Sequence, residues 1–179
     1  MSRFVIVTLF PKELNDLINP IREHFESSVS AIIPPHVTLL FPFRAGEITA
    51  LEEEIQTAIT GMSSFQASIG GVKFFPRVDG QKVIYFSLEP ESKFKEIYTT
   101  LKDRLQQKIA LETDTYPGNI LPDYVPHITV DLFGTDDAIA FTVLNSEKIT
   151  GKEVLFDKIA LLSNEKSGQI WRLERVFYL

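Results

Sequence analysis

The chain carries three histidines, and two of them sit in near copies of one short segment, Pro35-His36-Val37-Thr38-Leu39 and Pro126-His127-Ile128-Thr129-Val130. An imidazole titrates near neutrality, at about pH 6.5 when unperturbed, so one of a pair can be neutral while its partner is charged. A threonine hydroxyl can donate to a non-bridging phosphate oxygen that gains charge during attack. In each copy the His and Thr are two residues apart within an apolar, β-branched run that reads as a strand. They therefore point to the same face, about 7 Å apart along it. Two such strands set side by side would offer two imidazoles and two hydroxyls to one ligand. That set suits acid–base chemistry on a phosphate, although near-identical copies leave open which histidine is acid and which is base.

The bulk properties frame that chemistry. A length of 179 residues is enough for one compact domain or two small lobes sharing a core, and 44% hydrophobic with 23% charged residues is ordinary for a globular protein. Phenylalanine is abundant, at 14 residues, and core packing explains most of it. The net charge of −6 argues against a broad surface for duplex DNA, which needs many cationic contacts to phosphates. It favours a small anionic substrate. No cysteine is present, which removes disulfides, thiolate nucleophiles and cysteine-based metal sites together. The run from Phe4 to Phe10 is too short for a membrane span and is followed by Lys12, Glu13 and Asp16, so it reads as a first strand and not a signal peptide. A cytoplasmic monomer without a membrane partner is expected.

The elements that must position the motifs can be read along the chain. After the first strand, Leu14, Leu17, Ile18, Ile21 and Phe25 recur at helical spacing. A Ser-rich loop, Ser27 to Ser30, leads to the first motif strand, which runs to about Phe43. Leu51, Ile55 and Ile59 predict a helix from Thr49 to about Thr60, stopped by Gly61. Strands follow at Phe65 to Phe75 and Val83 to Leu88, joined by a turn at Arg77-Val78-Asp79-Gly80. A third helix begins near Glu91, with Phe94, Ile97, Tyr98, Leu101, Leu105 and Ile109 on its apolar face. A loop containing Tyr116-Pro117-Gly118-Asn119 precedes the second motif strand, and a short helix is expected from Asp136 to about Leu144. Val154 to Leu162 and Gln169 to Tyr178 read as a closing hairpin across Asn164 to Gly168.

The chain also echoes itself beyond the motifs. Val5 to Pro11 resembles Ile84 to Pro90 at an offset of 79, and in both places a strand ending at proline is followed by an amphipathic helix. The motifs are offset by 91, so the second unit is longer by about 12 residues, most of them assigned to the stretch from Asp114 to Asp123. Strand, helix and motif strand, occurring twice, predict a bilobed α+β fold. Its two pseudo-twofold-related halves would be mainly antiparallel strands with outer helices and a central cleft, all within one domain.

Paired His-x-Thr motifs on strands in two related halves resemble the 2H (two-histidine) phosphoesterases, which include 2′-5′ RNA ligases and RNA 2′,3′-cyclic phosphodiesterases. The resemblance covers essentially the whole chain, from the strand-first N-terminus to the closing strand Trp171-Arg172-Leu173-Glu174-Arg175-Val176-Phe177. It implies that His36 and His127 are catalytic and that Thr38 and Thr129 bind phosphate. It further implies metal-independent phosphodiester chemistry, with no cofactor, on a small nucleotide cyclic phosphate or an RNA terminus. Members near the RNA ligase branch often carry a basic residue just after the second motif. Here Asp131-Leu132-Phe133-Gly134 follows, and Asp131 falls on the face of His127 and Thr129 by strict alternation, which weighs against RNA-length substrates.

Lesser candidates surround the motifs. Phe41, Phe43, Tyr124 and Phe133 could stack on a base, with core packing as the competing role for each. Arg44 and Arg77 could meet a phosphate, although exposed arginines are commonly only solvated charges. Trp171 and Arg172 face opposite ways, so one at most can enter the cleft. His24 lacks the motif and reads as a surface or boundary residue. A two-histidine metal site would need a third ligand such as Asp131, and none is expected. Hydrolysis of a 2′,3′-cyclic phosphodiester is the leading expectation. Ligation or cleavage of a 2′-5′ linkage by the same residues, and non-catalytic binding of a nucleotide or RNA end, are the alternatives.

Overall fold

The computed structural model describes residues 3–25, 29–112, 123–165 and 170–179. Their order is β1 (Arg3–Leu9), α1 (Lys12–Glu23), α2 (Val29–Ile32), β2 (His36–Ala45), α3 (Ile48–Ile59), β3 (Phe65–Pro76), β4 (Lys82–Glu89), α4 (Glu91–Leu105), β5 (Ile109–Leu111), β6 (His127–Gly134), α5 (Asp136–Leu144), β7 (Glu153–Phe156), β8 (Lys158–Asn164) and β9 (Arg172–Tyr178). The strands form two sheets with every pair antiparallel. One has the order β5-β2-β1-β8-β9 and the other β6-β4-β3-β7. Each sheet holds one motif strand, so the bilobed α+β arrangement follows.

The helices are set by apolar spacing. Leu14, Ile18 and Ile21 of α1, Leu51, Ile55 and Ile59 of α3, and Phe94, Ile97, Leu101 and Leu105 of α4 are all buried. With residues from both sheets they make one continuous core. The packing crosses between the halves: α1, which follows β1, packs on β6, and α4, which follows β4, packs on β2. Each motif strand is thus backed by the helix of the other half, which couples the two lobes.

Several boundaries differ from expectation. Helix α4 ends at Leu105, and Ile109 begins β5, pairing with Ala45 on the edge of the first sheet. The run from Val154 to Leu162 is not one strand. It breaks at Asp157, with β7 pairing to β3 in one sheet and β8 to β1 in the other. The closing hairpin of β8 with β9 is present. Its turn at 166–169, the Tyr116 to Asn119 loop and part of the Ser-rich loop lie outside the described residues.

The repeat is closer in the pairing than in the sequence. In β2, Thr38 lies opposite Val7 and Leu40 opposite Ile6, which leaves Leu39 as an extra residue. In β6, Thr129 lies opposite Tyr85 and Asp131 opposite Ile84, which leaves Val130 extra. A second irregularity follows in both, before Phe43 meets Phe4 and before Gly134 meets Lys82. Ile6 therefore corresponds to Ile84, an offset of 78 (84 − 6) in place of 79, and the second unit is longer by 13 (91 − 78). Apolar runs resemble one another at neighbouring offsets, and the pairing decides which face each residue takes.

The bulge also relocates Asp131. Two residues of a bulged strand oppose one of its partner and share a side, so Val130 and Asp131 both lie on the side of Ile84, away from the motif. Leu132 takes the motif side and packs against apolar residues of both sheets. Asp131 is buried, and its carboxylate accepts the Phe133 N–H at 3.2 Å. A carboxylate beside the phosphate position, as strict alternation implied, is therefore corrected.

Gly134 closes the bulged stretch against Ile84, where an added Cβ would collide with the Ile84 side chain and come within 3.2 Å of the Lys82 carbonyl. Ile84 is fully buried and has little room to yield. Gly134→Ala should lower the unfolding free energy by about 1–3 kcal/mol, read as an earlier urea midpoint with an unchanged slope.

Candidate active site

The motif side chains are presented by a local device encoded in the Pro-His pair. A residue before proline is held extended, which fixes the direction of its carbonyl. Ahead of Pro35 the carbonyl of Pro34 accepts a hydrogen bond from His36 Nδ1 at 2.8 Å, and ahead of Pro126 the carbonyl of Val125 accepts one from His127 Nδ1, also at 2.8 Å. A carbonyl can only accept, so Nδ1 carries the proton in both rings. Nε2 is then the nitrogen left to exchange a proton with a ligand. Among the described residues, neither Nε2 and neither hydroxyl of Thr38 and Thr129 has a hydrogen-bond partner. All four side chains are half-buried.

The motif strands come together. β2 and β6 are in contact, and the Tyr124 hydroxyl donates to the Thr38 carbonyl at 2.8 Å, tying the approach to the second motif onto the first. Beneath them the floor is apolar. Val5, Val7, Leu9, Ile33, Ala160, Leu162 and Trp171 lie under the first motif, Phe75, Val83 and Tyr85 under the second, and Leu132 touches both groups. Burial over this floor disfavours the charged imidazole, so the pKa of both histidines is lowered. His36 is pushed down to about 4, chiefly by burial, partly offset by its bond to the Pro34 carbonyl and added to by the positive charge of Arg22.

The two imidazoles therefore have different surroundings. His127 meets the rings of Phe75 and Tyr85, at centroid distances of 5.1 and 5.3 Å, and these two stack on each other at 4.2 Å. His36 has a buried cation nearby instead. Sequence reading did not single out Phe75, Tyr85 or Arg22. At the observed offset Tyr85 corresponds to Val7, a floor position, and the offset of 79 concealed this.

The lesser candidates are scattered. Tyr124 is buried with its ring stacked 4.3 Å from Tyr98, and burial raises its pKa, so its hydroxyl is spent on the strand tie and not on a base. Phe41 packs on the core with its ring 6.5 Å from that of Tyr124, and Phe43 is wholly buried. Arg44 is eight positions from His36, roughly 20–25 Å along the strand, and forms an ion pair at 3.4 Å with Glu112, which also holds Arg3. Arg77 pairs with Asp79 at 2.9 Å and lies 4.9 Å from the ring of Phe133, which is exposed. Trp171 packs on the cleft side, and Arg172 is exposed. His24 stacks on Phe141 at 3.6 Å. Among the described residues no three His, Asp or Glu side chains gather as metal ligands.

Comparison with known proteins agrees with this architecture. A sequence model of the 2′-5′ RNA ligase superfamily matches residues 10–168. A Geobacillus kaustophilus protein named as a proposed phosphoesterase is 26% identical over 179 residues, covering 98% of this chain and 95% of that one. Among solved structures, TT0787 of Thermus thermophilus superposes with a TM-score of 0.65 at 17% identity, over 99% of this chain and 97% of that one. E. coli LigT complexed with 3′-AMP gives 0.61 at 14% identity, over 99% and 98%.

Two outcomes follow from the geometry. Tyr124→Phe should cost about 1–2 kcal/mol through the unpaired Thr38 carbonyl, measurable by urea unfolding. The titration of His36 sets a pH trend with a defined sign. Its pKa is lower folded than unfolded, so between about pH 6.5 and pH 4 the unfolded chain binds the extra proton. Stability should be full above that window and fall within it, by on the order of 2 kcal/mol for a half-buried ring. His36→Gln should flatten that part of the stability–pH curve.

Proposed function

The chain belongs to the 2′-5′ RNA ligase superfamily, and on that premise we propose that it is a metal-independent phosphodiesterase that opens 2′,3′-cyclic phosphates of small nucleotides or RNA ends. The observation that carries this reading is the pair of imidazoles, each with its proton locked on Nδ1 and its Nε2 without a partner among the described residues, each two residues from a half-buried threonine. The ligand with which E. coli LigT was crystallised, 3′-AMP, is a nucleotide carrying a phosphate at the ribose, which supports a ligand of that size.

The reaction divides between the two rings. Nε2 of neutral His36 takes a proton from water as the water oxygen bonds to phosphorus. The bond from phosphorus to one ribose oxygen breaks, and that oxygen receives the proton of His127. The threonine hydroxyls donate to the non-bridging oxygens as their charge grows. Water is added across one P–O bond, leaving a phosphomonoester and a free hydroxyl. His36, beside a buried cation and with its pKa pushed down to about 4, suits the base. His127 lacks that cation, and the anionic substrate favours its charged form. The superfamily's own name favours a second reading in which the same proton shuttle makes or cleaves 2′-5′ linkages.

Turnover of nucleoside 2′,3′-cyclic phosphates with chelator present tests the proposal. The kcat/KM profile should be bell-shaped and lie on the acid side of an ordinary imidazole, rising near pH 4 as His36 deprotonates and falling below pH 6.5 as His127 does. His36→Ala and His127→Ala should each lower kcat by about 10²–10⁴-fold, and Thr38→Val or Thr129→Val by about tenfold or more. Undiminished hydrolysis in either histidine variant sinks the paired mechanism. Saturable binding without turnover marks a sensor, and turnover of a 2′-5′ dinucleotide alone marks the second reading.

A further inference from the structure

Arg22 is the most deeply buried charge among the described residues, with 1% of its surface exposed. It lies in the last turn of α1, outside the motifs. Its guanidinium donates from one terminal nitrogen to the Asn19 side-chain oxygen at 3.3 Å and from the other to the Ile33 carbonyl at 2.9 Å, while Nε is buried without a partner. No carboxylate among the described residues forms an ion pair with it. Burial lowers its pKa to about 10, which still leaves it charged at neutral pH. The neighbouring Glu23 charge acts on it only from beyond ion-pair distance. A buried charge without an ion-pair partner is costly, whereas an apolar side chain of similar volume would fill the space at no such cost. The cation therefore calls for a role other than packing.

Its contacts indicate which. The segment before the first motif contains Pro34-Pro35, two successive residues without N–H groups, so it has few donors by which to be held. It is held through its carbonyls instead. The Ile32 carbonyl accepts from the Trp171 N–H at 2.9 Å, the Ile33 carbonyl from Arg22, and the Pro34 carbonyl from His36 itself. Arg22 thus pins the residue next to the one that orients the imidazole. Its charge also acts on that ring, as does His127 from β6, while β1 places apolar Leu9 opposite His36.

We propose that Arg22 is a positioning residue for the base: its buried guanidinium fixes the segment that orients His36 and keeps that imidazole in its neutral, proton-accepting form. Among the described residues the second motif has no counterpart, since aromatic rings flank His127. One cation on one side of a pseudo-symmetric site thereby makes one histidine the base and leaves the other to be the acid. The inference rests on the acid–base reading above, but its test needs no turnover.

Titration of the imidazoles by NMR in the full chain reads it directly, with Arg22→Gln as the neutral variant that can still donate to the Ile33 carbonyl and Arg22→Lys as the charged one. In Arg22→Gln, His36 should bind its proton about tenfold more tightly while His127 is unchanged, and in Arg22→Lys the His36 midpoint should stay near that of the parent. Where turnover is measurable, the acid limb of kcat/KM should move with the His36 midpoint, and kcat should fall with little change in KM. A folded Arg22→Gln protein with an unmoved His36, or equal movement in both variants, overturns the proposal. Should neither variant fold, the parent protein decides: His36 titrating below His127 with its neutral-form proton on Nδ1 supports it, and the reverse order or tautomer overturns it. A chain that hydrolysed no cyclic phosphate would still give these readings, so failure of the catalytic assignment and failure of the Arg22 role are separable.

Discussion

The site depends on β2 and β6 being held side by side although they belong to different sheets. No strand ladder joins them among the described residues, so the association has to come from side-chain packing and from discrete ties. The crossed helices supply the packing. α1 presses on β6 and α4 on β2, so separating the lobes would expose the apolar faces of both helices together with the shared core. Tyr124 supplies a directed tie through its bond to the Thr38 carbonyl. Cooperativity of this kind holds two imidazoles at a fixed separation without placing either on a mobile loop.

Within that frame the pseudo-symmetry of the backbone and the asymmetry of the surroundings serve different ends. Matching bulges in β2 and β6, at Leu39 and Val130, give both strands the same sequence of faces, so His and Thr stand on corresponding sides of the two motif strands. Equal groups in equal surroundings would titrate alike and could not divide into acid and base. A buried guanidinium near one ring and two aromatic rings against the other break the equivalence. The bulges matter a second time at Asp131, whose carboxylate would repel a phosphate had the strand alternated regularly.

Much of this was legible in the residues. The four motif side chains, the strand–helix–strand repeat and most elements follow from local patterns of period two and 3.6. What escaped was non-local. The break at Asp157 reflects the need of one segment to serve two sheets, which no local pattern records. Ile109 continues the helical spacing of α4, yet it pairs with Ala45 because an open sheet edge competes for it. The offset of 79 matched similar residue types but missed the pairing by one position, and with it the role of Tyr85. Arg22 was hidden for a different reason. An arginine on an amphipathic helix reads as solvated, and its burial arises from a segment contributed after α2.

The distribution of cations bears on what such a cleft can hold and release. Arg44 is engaged with Glu112, Arg77 with Asp79, and Arg22 lies buried with its guanidinium on the Ile33 carbonyl. None of these guanidinium groups stands in the cleft with its charge uncommitted, so a bound phosphate would be met by hydroxyls, the imidazolium and the apolar floor. A cyclic phosphodiester carries a single negative charge, which one imidazolium can balance. The monoester formed by its opening carries nearly two at neutral pH, as phosphorylated side chains do, while the site still holds one positive charge, now on the base that took the proton from water. The product is thus more heavily charged in a site no more positive than before, over an apolar floor that disfavours the added charge. Cations in the cleft would strengthen substrate binding but hold the product still more tightly. Their engagement elsewhere suits the proposed hydrolysis, in which a dianion must leave after each turnover.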